Sequence, residues 1–310
     1  GFPPPIIKGA DDQQVLEDLY RTLTVQDPPI GTTPKEKLHD QLHQKINGAR
    51  AQNDVSFKSG GVLIDGEFAY FKFVNFYNKL KSNGWKYPED KTGIMIQEYF
   101  EKCEAIVSAY KRLDCIGLNR GASGNISMKT NNGFLITPSG LNVEKVHANN
   151  IVELNFEGVP LKGTNPSSEW RLHAEIYKRK KGVGAVVHTH SNFACALSSL
   201  RENLPAFHYM VAVGGGRDIR CCEYAIFGSK ELADKVVEAL EDRVACLMAN
   251  HGLVCCGKEL EHAIFLAEEL EALCKQYLTA RSIGGVKILS DSEMELVIEK
   301  FKNYGYGTQK

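Results

Sequence analysis

The sequence predicts a three-layer α/β/α fold: a central, mainly antiparallel sheet with helices on both faces, preceded by a mainly helical N-terminal extension. Three observations carry this expectation. Strand-like and helix-like segments interleave from about residue 94 onward. Asn131-Asn132-Gly133 separates two short apolar runs and marks a hairpin, hence antiparallel pairing. Amphipathic segments with their own start signals recur between the strands, and such helices bury their apolar stripes against a sheet.

Taken in order, Val15, Leu16, Leu19, Tyr20 and Leu23 fall at helical spacing. Thr33-Pro34-Lys35-Glu36 is a capping box with proline at the first helical position, opening a helix with the thin stripe Leu38, Leu42 and Ile46. Phe68 to Leu80 is dense in aromatics and stops at Gly84, and Trp85 to Gly93 is a polar connector. This organisation divides the chain into an extension over 1–93 and a larger domain over 94–310. In the latter, Ile96, Tyr99, Phe100, Cys103, Ile106, Val107 and Tyr110 define one face of a helix from Ile94 to Cys115. Strands are predicted at Asn125 to Met128, Phe134 to Thr137, Ile151 to Leu154, Ala185 to His190, Phe207 to Val213, Ala245 to Ala249 and Leu253 to Cys256. Helices are predicted at Glu169 to Lys180, Ser229 to Leu240, Leu260 to Arg281 and Asp291 to Asn303, the last opened by the capping box Ser290-Asp291-Ser292-Glu293.

Bulk composition excludes some classes of function. With 37 Lys and Arg against 38 Asp and Glu, the formal charge of -1 gives no global footprint for nucleic acid or an anionic membrane. No apolar run approaches the ~20 residues needed to span a bilayer, and Gly1-Phe2-Pro3-Pro4-Pro5 has neither a basic nor an apolar leader region. The nine cysteines are odd in number, include the adjacent pairs Cys221-Cys222 and Cys255-Cys256, and form no Cys-x-x-Cys. They read as reduced core residues of a soluble, cytoplasmic protein.

The chemistry-bearing residues start with His188-Thr189-His190, at the end of the apolar run Ala185-Val186-Val187. Two histidines flanking one residue point to the same side of an extended chain, so they can clasp a metal. His251, in Asn250-His251-Gly252, could complete a three-nitrogen site with one coordination position left open for substrate. His147, His173, His208 and His262 read as core histidines. Gly121-Ala122-Ser123-Gly124-Asn125 and Thr137-Pro138-Ser139-Gly140 are small-residue loops that let backbone amides approach an anion, or else ordinary turns. Pro166-Ser167-Ser168-Glu169 opens a helix, offering hydroxyls and a carboxylate at its positive end. A divalent metal, several anion donors and one carboxylate are what reversible carbon–carbon cleavage of a sugar phosphate requires.

Those same stretches, with Gly117 to Asn119, Leu135 to Gly140, His208-Tyr209-Met210 and Glu299 to Gly305, resemble the class II aldolase/adducin family over about residues 94–307, and within it the L-fuculose-1-phosphate aldolases. The resemblance implies that His188, His190 and His251 hold Zn2+ beside Glu169, which doubles as a metal-linked acid/base. It implies phosphate contacts at Gly124, Asn125, Ser139, Gly140, Ser167 and Ser168. It also implies a homotetramer with active sites at subunit interfaces, Tyr209 acting across a boundary and Tyr304 in the C-terminal tail. The implied reaction splits a ketose 1-phosphate into dihydroxyacetone phosphate and a small aldehyde such as lactaldehyde. Epimerase, dehydratase or decarboxylase chemistry on a related sugar phosphate, and a non-catalytic adducin-like scaffold, are the alternatives. Epimerases of this family tend to carry Asp where Glu169 stands, and a scaffold has no need of three histidines.

Overall fold

The computed structural model describes residues 91–303. The helices expected before residue 91, and Tyr304, lie outside the described residues. Fourteen regular elements follow one another: α1 (Lys91–Cys115), β1 (Asn125–Lys129), β2 (Phe134–Ile136), β3 (Val152–Leu154), β4 (Pro160–Lys162), α2 (Trp170–Arg179), β5 (Ala185–Thr189), α3 (Asn192–Ser199), β6 (Cys221–Cys222), α4 (Lys230–Ala239), β7 (Ala245–Met248), β8 (Gly252–Gly257), α5 (Leu260–Ser282) and α6 (Asp291–Asn303).

The strands form one sheet in the order β4-β3-β2-β1-β5-β8-β7-β6. Every pairing is antiparallel except β6 with β7. β1 and β2 meet through a turn closed by Thr130 N–H donating to Gly133 O at 2.9 Å. The central strands β5 and β8 are buried at every residue, which is why they read as continuous apolar runs rather than alternating ones.

One face of the sheet carries α2 and α4, which pack on each other. Leu172 and Ile176 of α2, with Leu232 and Val236 of α4, join Phe134, Ile136, Val186, Met248 and Val254 in one core cluster. On the other, α5 packs along β5 and β8 and supports α3. Local signals fix the helix ends: Ser229 Oγ accepts from Leu232 N–H at 3.0 Å, and Glu293 closes its box by accepting from Ser290 N–H at 2.7 Å.

The expected strand Phe207 to Val213 is instead a 3-10 helix over Tyr209–Gly214. His208 Nδ1 accepts from Met210 N–H at 3.2 Å and starts it, and α6 covers its apolar side through Met294, Val297, Ile298 and Phe301. A short apolar run buried under a helix carries no periodicity that separates it from a strand. The short α3, β4 and β6 are additions to the expected elements. All nine cysteines are free thiols. Among the described residues, no helix is long and apolar enough to cross a membrane.

Candidate metal and substrate site

β5 is held on one side by β1, where Asn125 pairs with His188, and on the other by β8, where Val254 pairs with His188. His188 is thus delivered from the middle of the sheet, and the two-residue period carries His190 to the same side. Their Nε2 atoms lie 2.9 Å apart. His251 arrives from the β7–β8 turn, where Asn250 adopts a left-handed φ of 55°. At Gly252 a Cβ would lie 2.3 Å from the Thr189 carbonyl oxygen, so only glycine lets β8 begin against the end of β5. The three imidazole centroids are consequently 4.8, 4.9 and 5.0 Å apart.

Glu169 completes the group from the N-cap of α2. Its Oε2 lies 3.1 Å from His188 Nε2 and its Oε1 3.3 Å from His251 Nε2. One ligand atom from each of Glu169, His188, His190 and His251 falls within 4.8 Å of the others.

The surroundings orient these groups. His188 Nδ1–H donates to Leu253 O at 2.9 Å, which leaves the Nε2 lone pair facing the cluster. Asn119 Oδ1 accepts from His190 N–H at 3.4 Å, and Cys195 Sγ–H donates to His251 O at 3.1 Å. Glu271 of α5 accepts from Phe193 and Ala194 N–H at 2.9 and 2.8 Å, fixing the α3 terminus just after the histidine pair.

Burial alone would push the Glu169 carboxyl up, but His188, His251 and the Asn125 amide together hold it well below the usual carboxylate range. Burial opposes charge on His188 too, and the neighbouring carboxylate outweighs it and draws that imidazole upward. His190 and His251 are pushed down to about 4, first by burial and then by His188. Near neutral pH these two rings therefore present lone pairs. Glu169 Oε1 is buried and receives no hydrogen bond among the described residues. A divalent cation fits this donor set, because it can satisfy the converging nitrogen lone pairs and the carboxylate oxygen at once.

Beside the cluster lies a cavity of about 400 Å³ lined by Gly124, Asn125, Ser139, Gly140, Ser167 and Ser168 together with Glu169, His190 and His251. Gly124 has a φ of 68°, and a Cβ there would come within 2.3 Å of Asn119 Oδ1 and 2.7 Å of His188 O. Ser167 and Ser168 stand at the N-terminal end of α2, where the helix dipole favours an anion, while the Ser167, Glu169 and Trp170 amides already donate to Thr137 O, Ser167 Oγ and Ser167 O. The Asn125 side chain donates to Glu169 Oε2 at 3.0 Å and accepts from His173. Tyr209 is half-exposed, stacked on His208 at 4.7 Å, and is not part of this cavity wall.

Of the four histidines read as core residues, His173 is fully buried, His208 and His262 are half-buried and His147 is exposed. Sequence reasoning missed Asn119 and the cavity-lining Tyr224 and Phe227. The two aromatics sit in an irregular loop, where no periodicity singles them out; Asn119 stands inside the glycine-rich stretch, 71 positions from the His190 N–H it accepts from.

The family described as Class II Aldolase and Adducin N-terminal domain matches residues 104–278. The chain is 46% identical over 204 residues to the 5-methylthioribulose-1-phosphate/5-deoxyribulose-1-phosphate aldolase of Rhodospirillum rubrum, covering 66% of this chain and 92% of that one. It is 43% identical over 201 residues to the L-fuculose phosphate aldolase of Escherichia coli, covering 64% and 94%. A solved structure of an L-fuculose 1-phosphate aldolase superimposes with a TM-score of 0.63 at 38% identity, over 65% of this chain and 96% of that one. The chain belongs to the class II aldolase and adducin family. The relatives matched along nearly their whole length are aldolases, that is, lyases.

Proposed function

We propose that this protein is a zinc-dependent aldolase that reversibly cleaves a ketose 1-phosphate to dihydroxyacetone phosphate and a small aldehyde. The observation that carries the reading is the meeting of the Glu169, His188, His190 and His251 cluster with a cavity walled by small-residue anion donors. The relatives' names narrow the class to 1-phosphorylated ketoses: L-fuculose phosphate, 5-methylthioribulose 1-phosphate and 5-deoxyribulose 1-phosphate. Lactaldehyde is the aldehyde partner in the fuculose case.

His188, His190 and His251 would hold a zinc ion with Glu169 beside it, and the ion would supply Lewis-acid stabilisation of charge at the ketone oxygen. Gly124, Asn125, Ser139, Gly140, Ser167 and Ser168 anchor the phosphate at the positive end of α2. In the condensation direction Glu169 takes the proton from the carbon beside the ketone. That carbon attacks the aldehyde carbon, and Tyr209 of a neighbouring subunit donates its phenolic proton to the former aldehyde oxygen. Cleavage is the reverse. Tyr209, exposed on its own subunit, supports a homotetramer with sites at the interfaces, and Tyr304 joins the site from the tail. The catalytic domain spans 94–310, with residues 1–93 as an appended extension. The nine free thiols support a reducing, cytoplasmic setting.

A panel of 1-phosphorylated ketoses, assayed with and without chelator alongside zinc analysis, tests this reading. Cleavage of at least one ketose, abolished by chelation and restored by zinc, is the expected result. A protein that binds no zinc and cleaves none is an adducin-like scaffold instead.

A further inference from the structure

Behind the metal-facing cluster runs a file of buried polar side chains that the proposed chemistry does not use. Tyr177 OH and His173 Nδ1 lie 2.7 and 2.6 Å from Ser127 Oγ, His173 Nε2 meets Asn125 Oδ1, and Asn125 Nδ2 lies 3.0 Å from Glu169 Oε2. Two periodicities interlock to build it. Glu169, His173 and Tyr177 recur every four residues along one face of α2, and Asn125 and Ser127 recur every second residue on one face of β1. Ser127 and His173 are 0% exposed and Asn125 and Tyr177 3%, so their partners are protein groups: the others in the file and, for Tyr177, the Val186 backbone as well.

Hydrogen-bond logic gives the file one direction. An ionised carboxylate only accepts, so Asn125 must present its NH2 to Glu169 and its oxygen to His173. His173 must then carry its proton on Nε2, and its Nδ1 must accept from the Ser127 hydroxyl. Ser127 can donate there because it accepts from the Tyr177 phenol, which burial keeps protonated. The opposite His173 tautomer would turn the Asn125 oxygen onto the Glu169 carboxylate, where two acceptors repel.

We propose that His173, with Ser127 and Tyr177 behind it, is a positioning residue: its fixed tautomer locks the Asn125 amide in the orientation that holds Glu169 against the metal site. The inference rests on Glu169 as the acid/base of the proposed function. Partners one step removed from metal ligands typically contribute about 10- to 100-fold to metal affinity or activity.

The test compares Ser127→Ala, His173→Phe and His173→Gln with the full-length zinc-loaded protein, measuring kcat, KM, zinc affinity by chelator competition and the thermal midpoint. Ser127→Ala and His173→Phe, which act on Glu169 through Asn125, lower kcat and zinc affinity by about 10-fold, the lower end of the range for outer partners, while KM stays within about threefold. His173→Gln, whose amide offers both an N–H and an oxygen, keeps kcat within about threefold. Unchanged kcat and zinc affinity in folded Ser127→Ala, or equal losses in His173→Gln and His173→Phe at the same thermal midpoint, overturn the proposal. If His173→Phe fails to fold, Ser127→Ala against His173→Gln decides alone. If the wild-type protein cleaves no ketose 1-phosphate, the proposed function fails, and the zinc affinities of the same variants still decide whether the file positions Glu169.

Discussion

Two histidine environments stand on either side of the Glu169 carboxylate, and they are opposites. On one side His188, His190 and His251 crowd their Nε2 atoms together and leave a buried carboxylate oxygen without a hydrogen bond. On the other, His173 is fully buried and has both ring nitrogens matched to neutral partners. Burial is not what separates them, since His188 and His173 are both at 0% exposure. The difference lies in the partners. His173 meets two neutral groups, whereas three Nε2 atoms converge with a buried carboxylate whose Oε1 receives no hydrogen bond, a donor set that fits a cation.

The largest expected effect comes from breaking the unsatisfied side. His188→Ala removes the one ligand whose orientation is fixed by a hydrogen bond to Leu253 O. Zinc affinity should fall by more than about 100-fold, beyond the span of outer partners, with turnover lost in parallel. Chelator competition and metal analysis measure it, and a His188→Ala protein with native zinc content would remove this ring from the ligand set. Glu169→Gln comes next. It keeps the shape and the Asn125 side of the site but cannot accept a proton, so turnover should fall by about 10²- to 10⁴-fold with zinc retained. A near-normal rate at equal zinc content would sink the acid/base role.

The two sides were unequally legible in the sequence. His188-Thr189-His190 announced itself because alternation along a strand maps directly onto geometry, and both histidines lie on one chain segment. The central antiparallel sheet was legible for the same reason, from Asn131-Asn132-Gly133 and the apolar runs of β5, β7 and β8. The satisfied side was not. His173 and Ser127 are 46 positions apart, and only the stacking of α2 on β1 makes them neighbours. Each looks ordinary on its own element, and the Asn125 side chain links the file to Glu169 while its residue also lines the cavity. The Tyr209 segment misled for a different reason: its apolar residues are covered by α6, which the local sequence does not reveal.

A smaller effect tests the satisfied side for stability rather than chemistry. Ser127→Ala leaves His173 Nδ1 without a partner and the Tyr177 phenol with only its Val186 backbone contact in a buried setting, which costs about 1–3 kcal/mol. Chemical denaturation of the zinc-loaded protein should show that loss, while the exposed Ser282→Ala, whose hydroxyl merely returns to Thr279 O, should lie near zero. Equal costs at the two positions would mean that the file carries no special demand.

The smallest effect concerns acid. Burial, reinforced by His188 and partly opposed by Glu169, pushes His173 down to about 3 from its ordinary 6.5. The unfolded chain takes up that proton near pH 6.5, whereas the folded protein refuses it until about pH 3. Between those values the unfolded state binds more protons, so stability falls as pH falls. Each such group contributes a slope of about 1.4 kcal/mol per pH unit well inside the window. His190 and His251, held near 4, act in the same direction without metal, so the measurement belongs at saturating zinc, where bound metal keeps them from titrating. From pH 6 to pH 5 the unfolding free energy of wild type should then fall more steeply than that of His173→Gln, whose amide does not titrate. Parallel slopes would mean that His173 takes a proton in the folded state, and the neutral, fully paired ring that distinguishes it from the metal-facing histidines would be lost.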